Sequence, residues 1–228
     1  MEIVAHRGYG GAFPENTRQA FERAAETADW VELDVRPCQS GELVVFHDET
    51  LDRLTGASGR VVATPWEQLR EFEVLDSGER VPLLDEALSA VPDDTGVQVE
   101  LKDVGLAGDV LETLAGHDND TVLISFSPLA LYEVTQFGPS ADIGHILYEG
   151  LFDDAPELGL DTAAHLGCET VHTFYGMGSE PALVAAAHDR GLRVQTAPPE
   201  REATQDVLET CRGAGVDLLS VDHPPEAA

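Results

Sequence analysis

Charged side chains at alternate positions of apolar stretches are the features of this sequence best suited to do chemistry. Glu32 and Asp34 lie two residues apart in one such stretch, and Glu100 and Lys102 lie two apart in another. Residues two apart on a strand point to the same side, so each pair can reach one site together. Lys102 is the single lysine among 13 lysines and arginines, which points to a site residue rather than a leftover surface lysine.

Glu32, Asp34 and Glu100 make a set of three carboxylates with no cysteine nearby. Oxygen ligands of this kind suit one hard divalent cation, Mg²⁺ or Ca²⁺, better than zinc or a redox metal. Arg7 and Lys102 beside such a cation make a positive pocket in a negative molecule, which indicates a small anionic substrate. The alternative is that the three acids are ordinary surface residues of an acidic protein.

Two histidines add groups that can move protons. His6 follows the first apolar stretch and His47 follows the segment Glu42–Phe46. One imidazole on each side of a metal-bound phosphodiester would supply a general base and a general acid. Single histidines at strand ends are more often structural, but two that converge with three acids favour catalysis. His172 and Asp222 also end apolar stretches, where they could line the site or have a structural role.

Short apolar stretches alternate with amphipathic ones, which is typical of strand–helix–strand units and a parallel sheet. The predicted strands are Ile3–Ala5, Val31–Val35, Val97–Leu101, Val122–Ser125, Ile143–Leu147, Thr170–His172, Arg193–Thr196 and Leu218–Val221. The predicted helices are Thr17–Glu26, Leu83–Ala90, Leu106–Leu114, Leu129–Phe137, Asp161–Leu166, Pro181–Arg190 and Glu202–Arg212. This pattern predicts an α/β fold, a (β/α)8 TIM barrel with a truncated or absent last helix and its active site at the carboxyl ends of the strands.

The segment Glu42–Phe46 does not fit the alternation. It lies too close to Val31–Val35 for a parallel crossover, so it predicts an antiparallel hairpin that places His47 about opposite Asp34. Residues 48–80 follow as a small insertion at the barrel mouth after the second strand, with one helical piece at Trp66–Phe72. The length predicts a single domain over residues 1–228.

Composition limits the setting and the partners. A net charge of −30 with 43% hydrophobic residues predicts a folded chain. Acidic residues with almost no lysine indicate a high-salt, halophilic cell, because the Debye length falls to roughly 3 Å in 1 M salt. Nucleic acid and anionic membranes are not expected partners, since both require basic patches. Three scattered cysteines and no signal-like or membrane-spanning stretch predict a cytoplasmic protein without membrane insertion; the oligomeric state stays open.

An ordered set of motifs carries a family resemblance. The motifs are Ala5–Gly8, Pro14–Thr17, Glu32–Val35, Val45–Asp48, Thr50–Gly56, Val81–Glu86, Val99–Lys102, Ser125–Ser127, Gly215–Asp217 and Asp222–Pro224. Together they resemble the glycerophosphodiester phosphodiesterase family over nearly the whole chain. The resemblance implies a metal-dependent TIM-barrel phosphoric diester hydrolase that forms glycerol phosphate and an alcohol, through a cyclic phosphate made by the substrate's own hydroxyl.

Position by position, the resemblance implies roles for nine residues. Glu32, Asp34 and Glu100 look like the metal ligands, and His6 and His47 look like the acid/base pair. The expected substrate-binding residues are Arg7, Lys102, Glu15 and Asn16. Arg7 and Lys102 would contact phosphate, Glu15 would orient Arg7, and Asn16 would face the pocket or cap the first helix.

Two alternatives and one departure qualify this function. A lyase-type phosphodiesterase of the phospholipase C or sphingomyelinase D kind would accumulate the cyclic product on the same barrel. A non-catalytic barrel that binds phosphorylated metabolites is the other alternative. The departure is Val194–Pro199, where the family usually has an aromatic residue and an asparagine. Tyr148, Phe174 or Tyr175 could replace that aromatic wall, and the alcohol head group is left open.

Overall fold

A closed barrel of eight parallel strands forms the centre of the computed structural model, which describes residues 1–148, 150–152 and 154–225. The strands are β1 (Glu2–Ala5), β2 (Trp30–Pro37), β3 (Leu43–Val45), β4 (Gly96–Leu101), β5 (Thr121–Ser125), β6 (Asp142–Ile146), β7 (Thr170–Phe174), β8 (Arg193–Ala197) and β9 (Leu218–Val221). Parallel pairing runs from β2 through β4–β9 to β1, and β1 pairs with β2 to close the cylinder. The predicted TIM barrel is confirmed.

Helices pack around this cylinder. They are α1 (Arg18–Ala24), α2 (Asp52–Thr55), α3 (Trp66–Leu69), α4 (Leu84–Leu88), α5 (Ala107–Leu114), α6 (Pro128–Phe137), α7 (Pro156–Leu166), α8 (Tyr175–Gly178), α9 (Pro181–His188) and α10 (Gln205–Ala214). Residues 222–225, the last that the structure describes, contain no helix. No helix in the described ranges is long and apolar enough to cross a membrane.

Several boundaries differ from the sequence prediction. The helix expected at Asp161–Leu166 begins earlier, at Pro156, because proline is favoured in a first helical turn. The one expected at Glu202–Arg212 begins later, because Thr204 caps it through its hydroxyl. The four-residue helices α2 and α8 were not predicted, since a single turn has no apolar period.

The predicted hairpin is present between β2 and β3, with one correction. Val35 pairs with Val45, and the Phe46 amide donates to the Asp34 carbonyl over 2.9 Å. Phe46 rather than His47 therefore lies opposite Asp34, one residue from the prediction, because the hairpin is centred on Ser40 and not between Ser40 and Gly41. A separate apolar cluster, which includes Phe46, stabilises the segment 48–80 beside the mouth.

Two glutamines fill the inside of the barrel below its mouth. Gln98 of β4 donates from Nε2 to Gln195 Oε1 of β8 over 2.7 Å, and Gln195 donates back over 3.1 Å. These strands are third and seventh around the cylinder, so the two amides span it from wall to wall. Each buried amide thereby finds a donor and an acceptor in the other.

Candidate active site

A pocket opens at the carboxyl ends of the barrel strands, as expected for this fold. It is lined by His6, Arg7, Glu32, His47, Glu100, Lys102, Ile124, Phe126, Ile146, His172, Thr173, Phe174, Gln195, Thr196, Ala197, Arg201 and Ser220. Six of the nine residues predicted for the site are in this lining. Asp34, Glu15 and Asn16 lie just behind it and contact residues that line it.

The three predicted carboxylates converge at one point. Glu32, Asp34 and Glu100 are all buried, and one oxygen from each lies within 4.8 Å of the others. Neighbouring parallel strands explain the convergence, because β2 and β4 pair with Asp34 directly beside Glu100. Side chains two apart on β2 then bring Glu32 to the same side of the sheet.

Burial and mutual repulsion act on these acids. Burial, followed by the charges of Asp34 and Glu100, raises the pKa of Glu32 to about 8. Burial and the charge of Asp34 raise the pKa of Glu100 to about 7. Burial also acts against ionised Asp34, but Lys102 and Arg7 outweigh it and hold the pKa of that carboxyl below its usual range. Only additional positive charge would keep all three ionised at neutral pH.

These residues fit a divalent cation. Glu32 Oε1 is buried and finds no hydrogen-bond donor among the residues that the structure describes. Three carboxylates without a thiol form the hard oxygen environment that Mg²⁺ and Ca²⁺ prefer. An ion bound to them would also supply the positive charge that the raised pKa values of Glu32 and Glu100 call for.

Two cations already contact the acids. The ammonium of Lys102 lies 2.8 Å from Asp34 Oδ1 and 2.6 Å from Glu100 Oε1. Arg7 Nε lies 3.3 Å from Asp34 Oδ2, and Arg7 Nη1 donates to Glu15 Oε1 over 3.0 Å. Lys102 is thus held by acidic side chains in the site, as its isolation in the sequence suggested, and its contact with phosphate stays a prediction.

The two histidines predicted as the acid/base pair are each paired with an aspartate. His6 Nδ1 lies 2.6 Å from Asp222 Oδ1, and His47 Nδ1 lies 2.6 Å from Asp48 Oδ1. A carboxylate at Nδ1 holds the proton there and leaves Nε2 free to exchange one. Burial and the charge of Arg201 lower the pKa of His6 to about 4, although the hydrogen bond that His6 donates to Asp222 opposes them.

A strained turn places His6 and Arg7. Residues His6–Gly8 form a short 3₁₀ turn after β1, in which Arg7 has φ 51° and Gly8 has φ 73°. A Cβ at Gly8 would lie 2.8 Å from the Cβ of Ala20, so this position requires glycine. The Arg7 amide donates to Glu32 Oε2 over 2.9 Å, which fixes the turn to the acidic cluster.

Glu15 and Asn16 contact pocket residues. Glu15 accepts from Arg7, as predicted, and also from Arg53 Nη1 over 2.6 Å. Asn16 donates from Nδ2 to Asp34 Oδ2 over 2.7 Å. The alternative that Asn16 caps the first helix is wrong, because the hydroxyl of Thr17 accepts from the backbone there. The substrate-binding roles of Glu15 and Asn16 stay predictions.

An aromatic wall is present on the side of β5–β7. Phe126 and Phe174 line the pocket, and the ring of Tyr148 packs on Phe126 with centroids 4.6 Å apart. Tyr175 instead packs against the barrel core. In the segment Val194–Pro199, where the family usually has an aromatic residue, Gln195, Thr196 and Ala197 line the pocket instead. The wall is therefore supplied by neighbouring strands.

The site contains residues that were not included in the predicted set. Asp48 and Asp222 hold the two imidazoles, and Arg201 enters the pocket from a turn after β8. His172 lines the pocket and bonds to Thr170 Oγ1 over 2.9 Å. The sequence signal for both aspartates was their position after a strand and beside a histidine, whereas nothing marked Arg201.

The fold and this pocket define a class of protein: a (β/α)8-barrel enzyme. At the mouth of its barrel, a cluster of carboxylates lies beside cationic side chains and two imidazoles. The model of the glycerophosphoryl diester phosphodiesterase family matches residues 6–226. A glycerophosphodiester phosphodiesterase of Caldanaerobacter subterraneus is 30% identical over 237 residues, covering 97% of this chain and 94% of that protein. The chain belongs to the glycerophosphoryl diester phosphodiesterase family, so it is a phosphodiester hydrolase.

Solved structures agree with this assignment. An Oleispira antarctica phosphodiesterase in complex with the product sn-glycerol-3-phosphate matches with a TM-score of 0.85 and 25% identity, over 98% of this chain and 94% of that one. A glycerophosphodiester phosphodiesterase of Agrobacterium tumefaciens matches with a TM-score of 0.84 and 27% identity, over 98% and 97%. The family resemblance predicted from the motifs is confirmed.

Proposed function

We propose that this protein hydrolyses glycerophosphodiesters to glycerol phosphate and an alcohol, with one Mg²⁺ or Ca²⁺ and with His6 and His47 as the acid/base pair. The observation that carries the proposal is the convergence of two imidazole–aspartate pairs and three carboxylates on one pocket. The Oleispira antarctica relative, solved with sn-glycerol-3-phosphate, supports a small phosphate-ester ligand.

The two imidazoles move the protons of both half-reactions. One imidazole takes the proton of the glycerol hydroxyl next to the ester, and that hydroxyl oxygen bonds to phosphorus. The other imidazole gives a proton to the departing alcohol oxygen, and a cyclic phosphate is left. Water then opens the ring while the two imidazoles exchange roles, so both protons are returned. Asp222 and Asp48 keep each ring oriented with Nδ1 protonated.

The positive groups act on the charge at phosphorus. Glu32, Asp34 and Glu100 would hold the divalent ion, which supplies Lewis-acid polarisation of phosphoryl oxygens when it is bound. Arg7 and Lys102 border the same acids and stabilise the additional negative charge of the transition state. Glu15 keeps Arg7 in place through its 3.0 Å hydrogen bond.

A metal titration with four substrates tests the reaction. Glycerophosphocholine, glycerophosphoethanolamine, glycerophosphoglycerol and a chromogenic diester are incubated in molar KCl after chelation. We expect no turnover until Mg²⁺ or Ca²⁺ is added, and full rates in excess chelator would refute the metal role. His6→Ala and His47→Ala should each lower kcat by about 10²-fold or more, while the exposed His188→Ala serves as the matched control.

The same samples separate hydrolysis from the lyase alternative. Phosphorus NMR should show glycerol phosphate as the final product, with the cyclic phosphate only transient. Accumulation of the cyclic phosphate would instead establish a lyase. We also propose that the protein is a single domain and works in a cytoplasm of high salt concentration; the net charge of −30 supports the high-salt setting.

A further inference from the structure

Arg201 is a further cation of the same pocket. It ends the 3₁₀ turn Pro199–Arg201 that follows β8, and it lines the same pocket as His6 and Glu32. Its Nη1 donates to Ser220 Oγ of β9 over 2.9 Å, and its carbonyl accepts from the Asp222 amide over 2.9 Å. Both ends of the residue are thus held on the last strand, with the guanidinium directed into the barrel.

The charge of Arg201 is less compensated than that of the other pocket cations. Arg7 and Lys102 each contact two carboxylates within 3.3 Å. Around Arg201, the described part of the chain places no carboxylate oxygen within 4.0 Å of the guanidinium. Burial lowers its pKa, and the carboxylates of Asp222 and Glu32 only partly oppose that effect.

A partly buried guanidinium stays ionised, and its burial is unfavourable when no counter-ion contacts it. The turn that carries it is also strained, because Glu200 has φ 54° and Arg201 has φ 50°. Left-handed backbone is unfavourable for residues other than glycine. Strain that places a weakly compensated cation in a pocket indicates a function for that cation.

We propose that the Arg201 guanidinium binds an anionic oxygen of the substrate and so sets which diesters this enzyme accepts; the inference rests on the function proposed above. Its planar fork matches phosphate and carboxylate oxygens. The anion comes from one of two sources: the bridging phosphoryl group, or a second charged group on the alcohol arm. The small side chain of Ala197, at the end of β8, lines the same pocket as Arg201.

Two matched substrates separate the sources. One is the glycerophosphodiester of glycolate, with a carboxylate on the alcohol arm, and the other is the diester of glycolamide, its uncharged isostere. Rates are measured for the wild type, Arg201→Gln, Arg201→Lys and the control Arg23→Gln, an exposed arginine of α1 paired with Glu26. Loss of charge-assisted hydrogen bonds should lower kcat/KM of Arg201→Gln roughly 10- to 150-fold.

If kcat/KM of Arg201→Gln decreases equally on both diesters, Arg201 binds the phosphoryl oxygen. If it decreases on the glycolate diester alone, Arg201 binds the carboxylate of the alcohol arm. Wild-type kcat/KM on both in Arg201→Gln overturns the proposal. Arg201→Lys keeps the charge without the fork and should lose less than Arg201→Gln. If Arg201→Gln does not fold, wild-type kcat/KM in Arg201→Lys on both diesters overturns it. Arg23→Gln should match the wild type throughout.

Binding without turnover separates this inference from the function on which it rests. On the His6→Ala background, calorimetry with the glycolate diester should show Kd about tenfold weaker or more when Arg201→Gln is added. Equal Kd overturns the inference even if the enzyme is active, whereas lack of wild-type turnover on any diester overturns only the proposed function. The urea midpoint of Arg201→Gln should equal or exceed that of the wild type, and a marked decrease would show a structural role instead.

Discussion

The Asp222–His6 pair permits a sharp test of the proposed acid/base chemistry. Asp222→Asn keeps the shape of the side chain but removes the charge 2.6 Å from His6 Nδ1. If the new amide nitrogen faces the ring, Nδ1 must accept a hydrogen bond, so Nε2 carries the proton and cannot act as a base. Charge-assisted hydrogen bonds contribute about 1.5–3 kcal/mol, so kcat should fall roughly 10- to 150-fold.

The assay is steady-state hydrolysis of the best diester found in the substrate screen, with kcat and KM determined separately. We expect kcat to fall and KM to change little, because Asp222 orients a proton-transfer group. The matched control is Asp85→Asn, which alters a surface pair in which His117 Nε2 lies 3.0 Å from Asp85 Oδ1. A wild-type kcat in Asp222→Asn, or an equal loss in Asp85→Asn, would refute the reasoning.

Three further predictions concern stability. The first concerns the protein in excess chelator, where burial and the neighbouring acids Asp34 and Glu100 raise the pKa of Glu32 to about 8. The folded state therefore keeps a proton on Glu32 that the unfolded state releases near pH 4, since the pKa of a free Glu is about 4.3. The Tm of the metal-free protein should therefore fall as pH rises from about 4 to about 8, and Glu32→Gln should flatten this slope; parallel slopes would contradict it. Gly8→Ala should lower the free energy of unfolding in urea by about 1–3 kcal/mol, more than Gly41→Ala, whose Cβ meets no atom within 4 Å; an equal loss would contradict the steric argument. The urea midpoint should rise between 0.1 and 2 M KCl, because salt screens the charge of −30; a fall would argue against adaptation to salt.

Most of the barrel could be predicted from the sequence because parallel strands are buried on both faces and appear as unbroken apolar stretches. β5 is an example, since Val122, Leu123 and Ile124 are consecutive apolar residues and all three are buried. The hairpin register was missed by one residue because a tight turn can move its centre without changing the apolar pattern. Helix ends were missed where a cap or a proline, rather than the apolar period, fixed them.

The candidate site was predictable where it depends on strand geometry. Alternate residues on β2 and β4 must share a side, so the convergence of Glu32, Asp34 and Glu100 follows from the sequence. Arg201 was not predictable, because its side chain reaches the pocket only through two consecutive left-handed residues. The contact of Asp222 with His6 depends likewise on the path of the chain beyond the last strand.

The reciprocal amides of Gln98 and Gln195 have a consequence for engineering. They form an uncharged plug whose donors and acceptors are already matched, so the interior beneath the ligand neither attracts ions nor needs buried water at that level. Substrate selectivity can therefore be altered by changing residues at the barrel mouth, such as Arg201 and Phe126, without repacking the interior between the strands. Enlarging the cavity downwards would instead require both glutamines to be replaced together, since either one alone would leave the other unsatisfied.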